Sequence, residues 1–250
     1  AREKDRRKLG VTRHIILVRH GQYDETHKED EKRILTELGR QQAHLTGKRL
    51  AEMIQSIENE DESLVEPCRI KVIRVSDMTR AKETADIIAQ HVPNVQQALP
   101  DARLNEGRPC HYIPTPKVSE KNISCMDKDK DRIEDAFQQY FYRSDVMVQH
   151  ANPQQDDAND GDKKKKKKKK KQTERHEFEI IVCHANVIRY FFCRALQIPP
   201  EAWLRLCTFN CSLTYLTVRP SGSVSCRMLG DIGHLPYDHS TFSGHHGFTW

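Results

Sequence analysis

The chain has 250 residues, of which 36% are hydrophobic and 31% are charged. This length and apolar content suffice for one substantial core, and chains of this size often form a single α/β domain. No run approaches the ~18 to 20 consecutive apolar residues of a membrane-spanning helix, so we expect a soluble chain without a membrane anchor.

The net charge of +5 does not by itself indicate a nucleic-acid-binding protein. Nine lysines form one block, Lys163 to Lys171, and subtracting those nine charges from +5 leaves −4 for the rest of the chain. A run of like charges repels itself and buries no apolar surface, so it predicts a disordered loop. No aromatic residues interleave with the lysines to stack on bases, and we expect no specific nucleic-acid partner.

The cysteine pattern favours reduced, structural thiols. Eight cysteines are present without a C-x-x-C pair or the spacing of a zinc site. A chain of this length needs no disulfide scaffold, so the cytosol or an organelle matrix fits better than secretion. The cysteines are Cys68, Cys110, Cys125, Cys183, Cys193, Cys207, Cys211 and Cys226.

The first predicted unit is a strand, a loop and a helix. A short apolar run at 15–18 is typical of a buried strand, and it ends at Arg19 and His20. Thr36 is a suitable cap for a helix with an apolar face, in which Gly39 and Gly47 allow close packing. Arg19 and His20 are therefore predicted at the carboxyl end of a strand.

Two further units repeat this pattern. A strand at 70–75 ends at Ser76 and precedes a helix over 81–91, which Arg80 introduces. A strand at 178–183 ends at His184 and precedes a helix over 187–196. The segments 213–218 and 224–229, joined by a Pro-Ser-Gly turn, predict a hairpin at the sheet edge.

The remaining segments define the predicted domain organisation. An amphipathic helix is predicted over 131–149, followed by a disordered charged insertion at 152–173. A polar segment at 1–12 and a tail at 236–250 would flank one domain at 13–235. Alternating strands and helices predict an open three-layer α/β/α sandwich with a mostly parallel sheet, whose ligands bind beyond the carboxyl ends of the strands.

Residues with phosphoryl-transfer chemistry follow the predicted strands. The guanidinium groups of Arg19 and Arg80 can each donate paired hydrogen bonds to phosphate oxygens. Neighbouring cations lower the pKa of an imidazole, which keeps His20 neutral and able to attack phosphorus. His184, in its cationic form, would bind the equatorial oxygens, and Glu106 is the candidate acid for the departing alkoxide.

Two other interpretations of these residues are weaker. A Cys183–His184 nucleophilic pair is disfavoured, because adjacent strand residues point to opposite faces of a sheet. The histidines near the carboxyl terminus follow Gly and Pro residues, which favours solvated side chains over a metal site. These histidines are His234, His239, His245 and His246.

The motifs together resemble the histidine phosphatase superfamily, which includes the cofactor-dependent phosphoglycerate mutases. The signature is Leu17-Val18-Arg19-His20-Gly21, followed in order by 35–43, 76–85, Leu104-Asn105-Glu106-Gly107 and Cys183-His184-Ala185. The resemblance implies a phosphoglycerate mutase-like fold and a phosphohistidine intermediate on His20. It also implies phosphate contacts from Arg19, Arg80 and His184, with Glu106 as proton donor and without a metal or cofactor.

Several segments further resemble a subfamily of mitochondrial protein serine/threonine phosphatases. They are 19–23, 76–81, 183–190, 199–206 and 229–231. This resemblance implies a phosphoprotein substrate, a mitochondrial location and a homo-oligomer, at least a dimer. The membrane segment and multimerisation motif typical of that subfamily are not visible in this chain.

Two rival functions remain open. The first is a small-molecule enzyme, either a mutase or a sugar-phosphate phosphatase. A mutase must shield the phosphoenzyme from water, which requires extra basic residues in the mouth. Only Arg108, His111, Lys117 and Lys121 offer positive charge there, which favours hydrolysis. A non-catalytic scaffold, the second rival, need not retain all five site residues.

Overall fold

A computed structural model describes residues 10–60, 70–92, 94–111, 120–143 and 175–242, without the side chains of 55–60, 120–127 and 175. Residues 1–9 of the predicted polar segment at 1–12 lie outside this range, as do the insertion at 152–173 with its lysine run, His245 and His246. Those predictions remain untested.

In the described part of the chain, six strands form one central sheet. They are β1 (Val11–Arg19), β2 (Ile70–Val75), β3 (Gln96–Gln97), β4 (Arg175–Cys183), β5 (Leu213–Val218) and β6 (Val224–Asp231). Their order in the sheet is β3-β2-β4-β1-β5-β6. The first four strands are parallel to one another, β5 is antiparallel to β1, and β6 is antiparallel to β5. The mostly parallel sheet and the edge hairpin are as predicted, whereas the two-residue β3 was not predicted.

Four α-helices among the described residues cover the two faces of the sheet. They are α1 (Glu37–Glu60), α2 (Thr79–Ala89), α3 (Glu120–Tyr140) and α4 (Ala185–Ala195). One core cluster joins Leu50 of α1 and Ile88 of α2 to one face, and another joins Ile133 of α3 and Phe191 of α4 to the opposite face. The structure is therefore the predicted three-layer α/β/α sandwich.

Strand β1 shows how the sheet supplies both cores. Ile16 and Val18 belong to the first cluster, while Ile15 and Leu17 belong to the second. Neighbouring residues on a strand point to opposite faces, so a continuous apolar run is needed where both faces are covered. In the strand order β1 lies between β4 and β5, so the end of β1 is in the middle of the sheet.

Helix α3 differs from its prediction. It begins at Glu120 rather than 131 and ends at Tyr140 rather than 149, and residues 141–143 are not helical. The prediction followed the apolar stripe, which includes Ile133 and Phe137, and treated 107–130 as irregular. The first half of α3 is rich in Lys, Glu and Asp. Of these, Lys and Glu have straight side chains that favour a helix even where no apolar face is evident.

The end of the described chain packs against the domain. Gln42 Nε2 donates to the carbonyl of His239 and to Thr241 Oγ1, at 2.7 and 2.8 Å. The backbone N–H of Asn210 also donates to the Thr241 carbonyl. Within the described ranges, no helix is both long and apolar enough to cross a membrane.

Candidate active site

His20 is the first residue after β1, and three backbone hydrogen bonds hold it. Its N–H donates to the carbonyl of Cys183 in β4 at 3.0 Å. Its carbonyl accepts from Asn210 Nδ2 at 3.1 Å and from the N–H of Cys211 at 3.3 Å. The backbone of His20 is thus fixed between the ends of two neighbouring strand segments.

Two glycines allow the loop after His20 to lie against α1. A Cβ on Gly21 would be 2.6 Å from the carbonyl oxygen of Gly39, and a Cβ on Gly39 would be 1.9 Å from that of Gln22. Thr36 Oγ1 accepts from the Gly39 N–H at 3.0 Å, which is the predicted helix cap. The close approach therefore requires glycine at both positions.

The hydrogen bonds of His20 define which nitrogen can attack. Nδ1 lies 2.8 Å from the carbonyl oxygen of Gly21, which can only accept, so Nδ1 carries the proton. Nε2 accepts from Nε of Arg80 at 3.2 Å, so it carries no proton and keeps an electron pair that can attack once this hydrogen bond is released. Burial, followed by the charge of Arg80, lowers the pKa of His20 well below its ordinary value.

Arg80 lies in the first turn of α2, where its guanidinium is 3% exposed. Asp30 is beside it: the carboxylate accepts from the N–H of Thr79 at 2.8 Å and from Arg80 at 3.4 Å. Burial lowers the pKa of Arg80, while Tyr23 and Glu106 oppose that shift. A cation and a helix N-terminus therefore converge beside His20.

Arg19 approaches the site from the end of β1. It is buried, and its guanidinium donates to the carbonyl of Thr208 at 2.7 Å. Burial lowers its pKa to about 10, so the side chain remains cationic at neutral pH. The fixed orientation suits an anionic ligand that arrives at His20.

His184 lies at the amino end of α4, with its ring centroid 5.0 Å from that of His20. Asn105 Oδ1 accepts from the N–H of Asp77 and from Ser76 Oγ. Because the only proton of Ser76 is then used, His184 Nε2 donates to Ser76 Oγ across 2.7 Å. His184 Nδ1 is buried without a hydrogen-bond partner among the described residues.

The surroundings of His184 favour a neutral ring. Burial and then the charges of Arg80 and Arg19 lower the pKa of His184 well below its ordinary value. The cationic form that we expect to bind phosphate oxygens therefore requires an anion nearby. A phosphate dianion would offset the cations and favour protonation of Nδ1.

Glu106 reaches the same site from a loop after β3. Its side chain is partly exposed, and Oε1 accepts from the N–H of Gly107 at 3.2 Å. Burial raises the pKa of Glu106, and this effect is opposed by Arg80, by the Gly107 N–H, by Arg19 and by Arg189. A raised pKa favours the protonated carboxyl that a proton donor requires.

Sequence reasoning did not single out several residues of this site. The Tyr23 ring lies edge-on to the His20 ring at 5.1 Å, and the guanidinium carbons of Arg80 and Arg33 are 4.6 and 4.8 Å from its centroid. Arg189 is buried and donates to Asn186 Oδ1 at 3.2 Å. Tyr23 and Arg189 lie in the segments 19–23 and 183–190 that resemble the subfamily but were given no role, and no local pattern marks Arg33.

The competing site interpretations can also be compared with the structure. Cys183 packs in the core with α3 and α4, and burial strongly raises its pKa, which disfavours a thiolate nucleophile. His234 is half-buried and bonded to Thr46 Oγ1 at 2.8 Å, while His239 lies near Gln41. Within the described part of the chain, no three His, Cys, Asp or Glu side chains are grouped to hold a metal.

A cavity of about 560 Å³ lies beside Tyr23, on the side of the loop that follows His20. Its walls come from that loop, from the residues before α1 and from the end of the described chain. The lining residues include Gln22, Tyr23, Glu25, Leu35, Asn210 and Phe242.

An α/β sandwich with two histidines, two arginines and a carboxyl group at its strand ends defines a phosphoryl-transfer enzyme that works through a histidine. The sequence matches the family described as histidine phosphatase superfamily (branch 1) over residues 15–230. The chain belongs to the histidine phosphatase superfamily.

Relatives with described activities cover most of the chain. The mitochondrial serine/threonine-protein phosphatase PGAM5 of Xenopus tropicalis is 42% identical over 233 residues, which are 93% of this chain and 69% of the relative. The mitochondrial serine/threonine-protein phosphatase PGAM5 of Homo sapiens is 40% identical over 245 residues, 97% of this chain and 71% of the relative.

Solved structures share the fold. A phosphoglycerate mutase from Plasmodium falciparum is 33% identical, with a TM-score of 0.53 over 93% of this chain and 99% of the other. The protein YhfR of Bacillus stearothermophilus is 20% identical, with a TM-score of 0.51 over 89% of this chain and 98% of the other, and supports the fold alone.

Proposed function

We propose that this chain is a phosphoprotein phosphatase that hydrolyses phosphoserine or phosphothreonine through a phosphohistidine on His20, without a metal. The observation that carries the proposal is the hydrogen-bonding of His20. Its Nδ1–H is held by the Gly21 carbonyl, and its Nε2 electron pair faces the guanidinium of Arg80. This arrangement suits attack on a phosphorus atom bound by arginines.

In the first step, the Nε2 electron pair forms the N–P bond while the bond from phosphorus to the substrate oxygen breaks. Glu106 gives its proton to the departing oxygen, so that the product is a neutral serine or threonine hydroxyl. Arg19 and Arg80 bind the equatorial oxygens, where negative charge increases. His184, protonated at Nδ1 in the presence of phosphate, would donate a further hydrogen bond.

In the second step, water replaces the product. The Glu106 carboxylate takes a proton from that water while the water oxygen attacks phosphorus, and the N–P bond breaks. The electron pair returns to His20 Nε2, inorganic phosphate leaves, and Glu106 is again protonated. Every group is then restored to its initial state.

Two observations support a protein as substrate. The relatives at 40–42% identity named above are serine/threonine-protein phosphatases. Glu106 is partly exposed, and Arg108 and His111 at the mouth are exposed, so the described part of the mouth is open to a bulky substrate. The names of the same relatives support a mitochondrial location, and a homo-oligomer remains a prediction.

A mutase or small-molecule phosphatase is the second candidate. The Plasmodium falciparum phosphoglycerate mutase covers nearly the whole chain at 33% identity, which favours this alternative. An enzyme that returns the phosphoryl group to a second substrate must exclude water from the phosphoenzyme. The exposed side chains in the described part of the mouth favour hydrolysis of the phosphoenzyme over transfer of the phosphoryl group to a second substrate.

The test is phosphate release from a phosphothreonine peptide, an aryl phosphate and phosphoglycerates, each with a chelator present. Wild-type protein should release phosphate from the peptide and form an acid-labile, base-stable phosphoenzyme. His20→Ala should lose both, whereas His44→Ala, at an exposed histidine on α1, should lose neither. Interconversion of phosphoglycerates faster than hydrolysis would favour the mutase, and activity retained by His20→Ala would exclude the proposed mechanism.

A further inference from the structure

Two charged side chains on α3 bind the backbone on both sides of Glu106. We call residues 102–108 the acid loop. The guanidinium of Arg132 donates to the carbonyl oxygens of Asn105 at 2.7 Å and Glu106 at 3.2 Å. The Asp129 carboxylate accepts from the N–H of Arg108 at 2.9 Å. The peptide groups before and after Glu106 are therefore attached to the same helix.

Arg132 also binds the short 3₁₀ turn that begins the acid loop. Its Nη1 donates to the carbonyls of Ala102 and Arg103 at 3.2 and 3.0 Å. The Ala102 carbonyl also accepts the N–H of Asn105 at the end of the turn, and a planar guanidinium can bind several carbonyls of the acid loop together. Asp129 fixes the guanidinium in turn, with an Nη2 to Oδ1 distance of 2.8 Å.

Gly107 shows how closely the acid loop lies on this pair. A Cβ at Gly107 would be 2.5 Å from Nη2 of Arg132 and 2.6 Å from Cγ of Asp129. A side chain at this position would displace the ends of the Arg132 and Asp129 side chains. The acid loop and this pair are therefore in direct contact.

Other elements hold the acid loop from different sides. Asn186 of α4 donates to the Gly107 carbonyl at 3.0 Å, and Ser76 and the N–H of Asp77 donate to Asn105 Oδ1. Arg132 differs because it binds four carbonyls of the acid loop, including that of Glu106 itself. Its hydrogen bonds in the described structure are all with the acid loop and with Asp129, and its charge adds a smaller contribution to the lowered pKa of His184.

We propose that Arg132, held by Asp129, is a positioning residue that keeps the Glu106 carboxyl within reach of the departing oxygen. This inference depends on the proposed role of Glu106 as proton donor. Proton transfer requires hydrogen-bond distance, and a small displacement of the donor costs much of its effect. A donor matters most when the departing oxygen is a strong base, as in phosphothreonine, and least when it is a stabilised aryl oxide.

The test compares kcat/KM for a phosphothreonine peptide with that for p-nitrophenyl phosphate. Arg132→Met should lower the peptide value by about 10²-fold, near the lower end of the effect of a general acid, and change the aryl phosphate value far less. Arg132→Lys, which keeps the charge but not the planar fork, should fall between Arg132→Met and wild type. Glu106→Gln provides the reference for loss of the proton donor.

Arg194→Met is the matched control. Arg194 forms a two-point ion pair with Glu134, which also lies on α3, and neither residue contacts the acid loop in the described structure. This variant should leave the ratio of the two kcat/KM values unchanged. If Arg132→Met does not fold, Asp129→Asn replaces it, since this change removes the charge with little change of shape.

Each outcome separates the inference from the proposed function. Equal losses on both substrates in Arg132→Met, or no loss, would overturn the positioning role while leaving Glu106 as proton donor if Glu106→Gln changes the ratio. An unchanged ratio in Glu106→Gln would overturn the role of Glu106 and with it the inference on Arg132, whereas the phosphohistidine on His20 is tested separately by His20→Ala. A changed ratio in Arg194→Met would also overturn the inference, because the effect would then be a general response of α3.

Discussion

Arg80 donates a hydrogen bond from Nε to Nε2 of His20 across 3.2 Å, so the proposed phosphate-binding cation contacts the proposed nucleophile directly. The contact orients the imidazole, while the two terminal nitrogens of the guanidinium make longer contacts, each of 3.4 Å, to Asp30 Oδ1 and Met78 Sδ. It also stabilises the neutral ring, because protonation of Nε2 would place two cations in contact. Arg80 is therefore expected to act both on the state of His20 and on the phosphoryl group.

Arg80→Lys should lower kcat/KM by about 10²-fold or more, although the positive charge is kept. A lysine ammonium cannot hydrogen-bond His20 and two phosphoryl oxygens in the fixed geometry of a guanidinium, and one lost donor to transition-state charge costs about 10²–10³-fold. Steady-state kinetics on the phosphothreonine peptide measure this loss. Arg194→Lys, at another doubly bonded arginine, should change kcat/KM little; a similar loss there would contradict the specific role of Arg80.

The pH dependence of kcat/KM should reflect a neutral His20 and a protonated Glu106. Activity should rise with pH as His20 loses its proton, and burial puts this limb below the ordinary histidine value of 6.5. Activity should fall as Glu106 loses its proton, and burial moves that limb above the ordinary value of 4.5. In Glu106→Gln the alkaline limb should disappear; its persistence would indicate a different proton donor.

The stability of the fold should depend on His14, a buried residue of β1 far from any proposed chemistry. Its two ring nitrogens are hydrogen-bonded to Tyr215 and His176, and burial, then His176, lowers its pKa to about 3. The unfolded chain binds this proton near pH 6.5, whereas the folded chain does not. The contribution of His14 to the free energy of unfolding is thus fully present above pH 6.5. It is lost as the pH falls toward 3, by about 1.4 kcal/mol per pH unit.

Urea unfolding at pH 7 and pH 5 measures this contribution. The loss of unfolding free energy between these pH values should be smaller by about 2 kcal/mol in His14→Gln than in wild-type protein. The other buried histidines affect both proteins alike. His44→Gln, at an exposed histidine, should show the wild-type loss, and an equal loss in His14→Gln would contradict the prediction.

Gly39→Ala should destabilise the protein, although alanine normally favours a helix over glycine by about 1 kcal/mol. The new Cβ would lie 1.9 Å from the carbonyl oxygen of Gln22, so the loop after His20 must move. Overpacking of this kind costs roughly 1–3 kcal/mol, and activity should fall as well. Thermal unfolding measures the first effect; Gly233→Ala, whose Cβ would meet its neighbours at 3.8 Å, is the control.

Much of the fold could be predicted from local sequence patterns. Apolar runs predicted β1, β2 and β4, since a strand covered on both faces must be apolar throughout. Thr36 predicted the start of α1 because its hydroxyl can accept an N–H of the first turn. The first half of α3 carries no apolar stripe and β3 has only two residues, so periodicity could not predict them.

The candidate site was predictable where a functional residue directly follows a strand or belongs to a recognisable motif. His20, Arg80 and His184 follow the ends of β1, β2 and β4, which meet at one edge because these strands are parallel. Sequence reasoning also indicated Arg19 and Glu106, through the motifs that contain them. Their catalytic roles remain proposals that the experiments above test.

Other features required the tertiary structure because they depend on contacts between distant segments. The proton position on His20 follows from Gly21 and Arg80, and the neutral state of His184 follows from burial beside Arg80 and Arg19. Arg132 is 26 residues from Glu106 yet binds its carbonyl, a relationship that no local pattern encodes. The sequence by itself determined the chemical groups and their places on the sheet, whereas the folded structure determined their distances, burial and protonation.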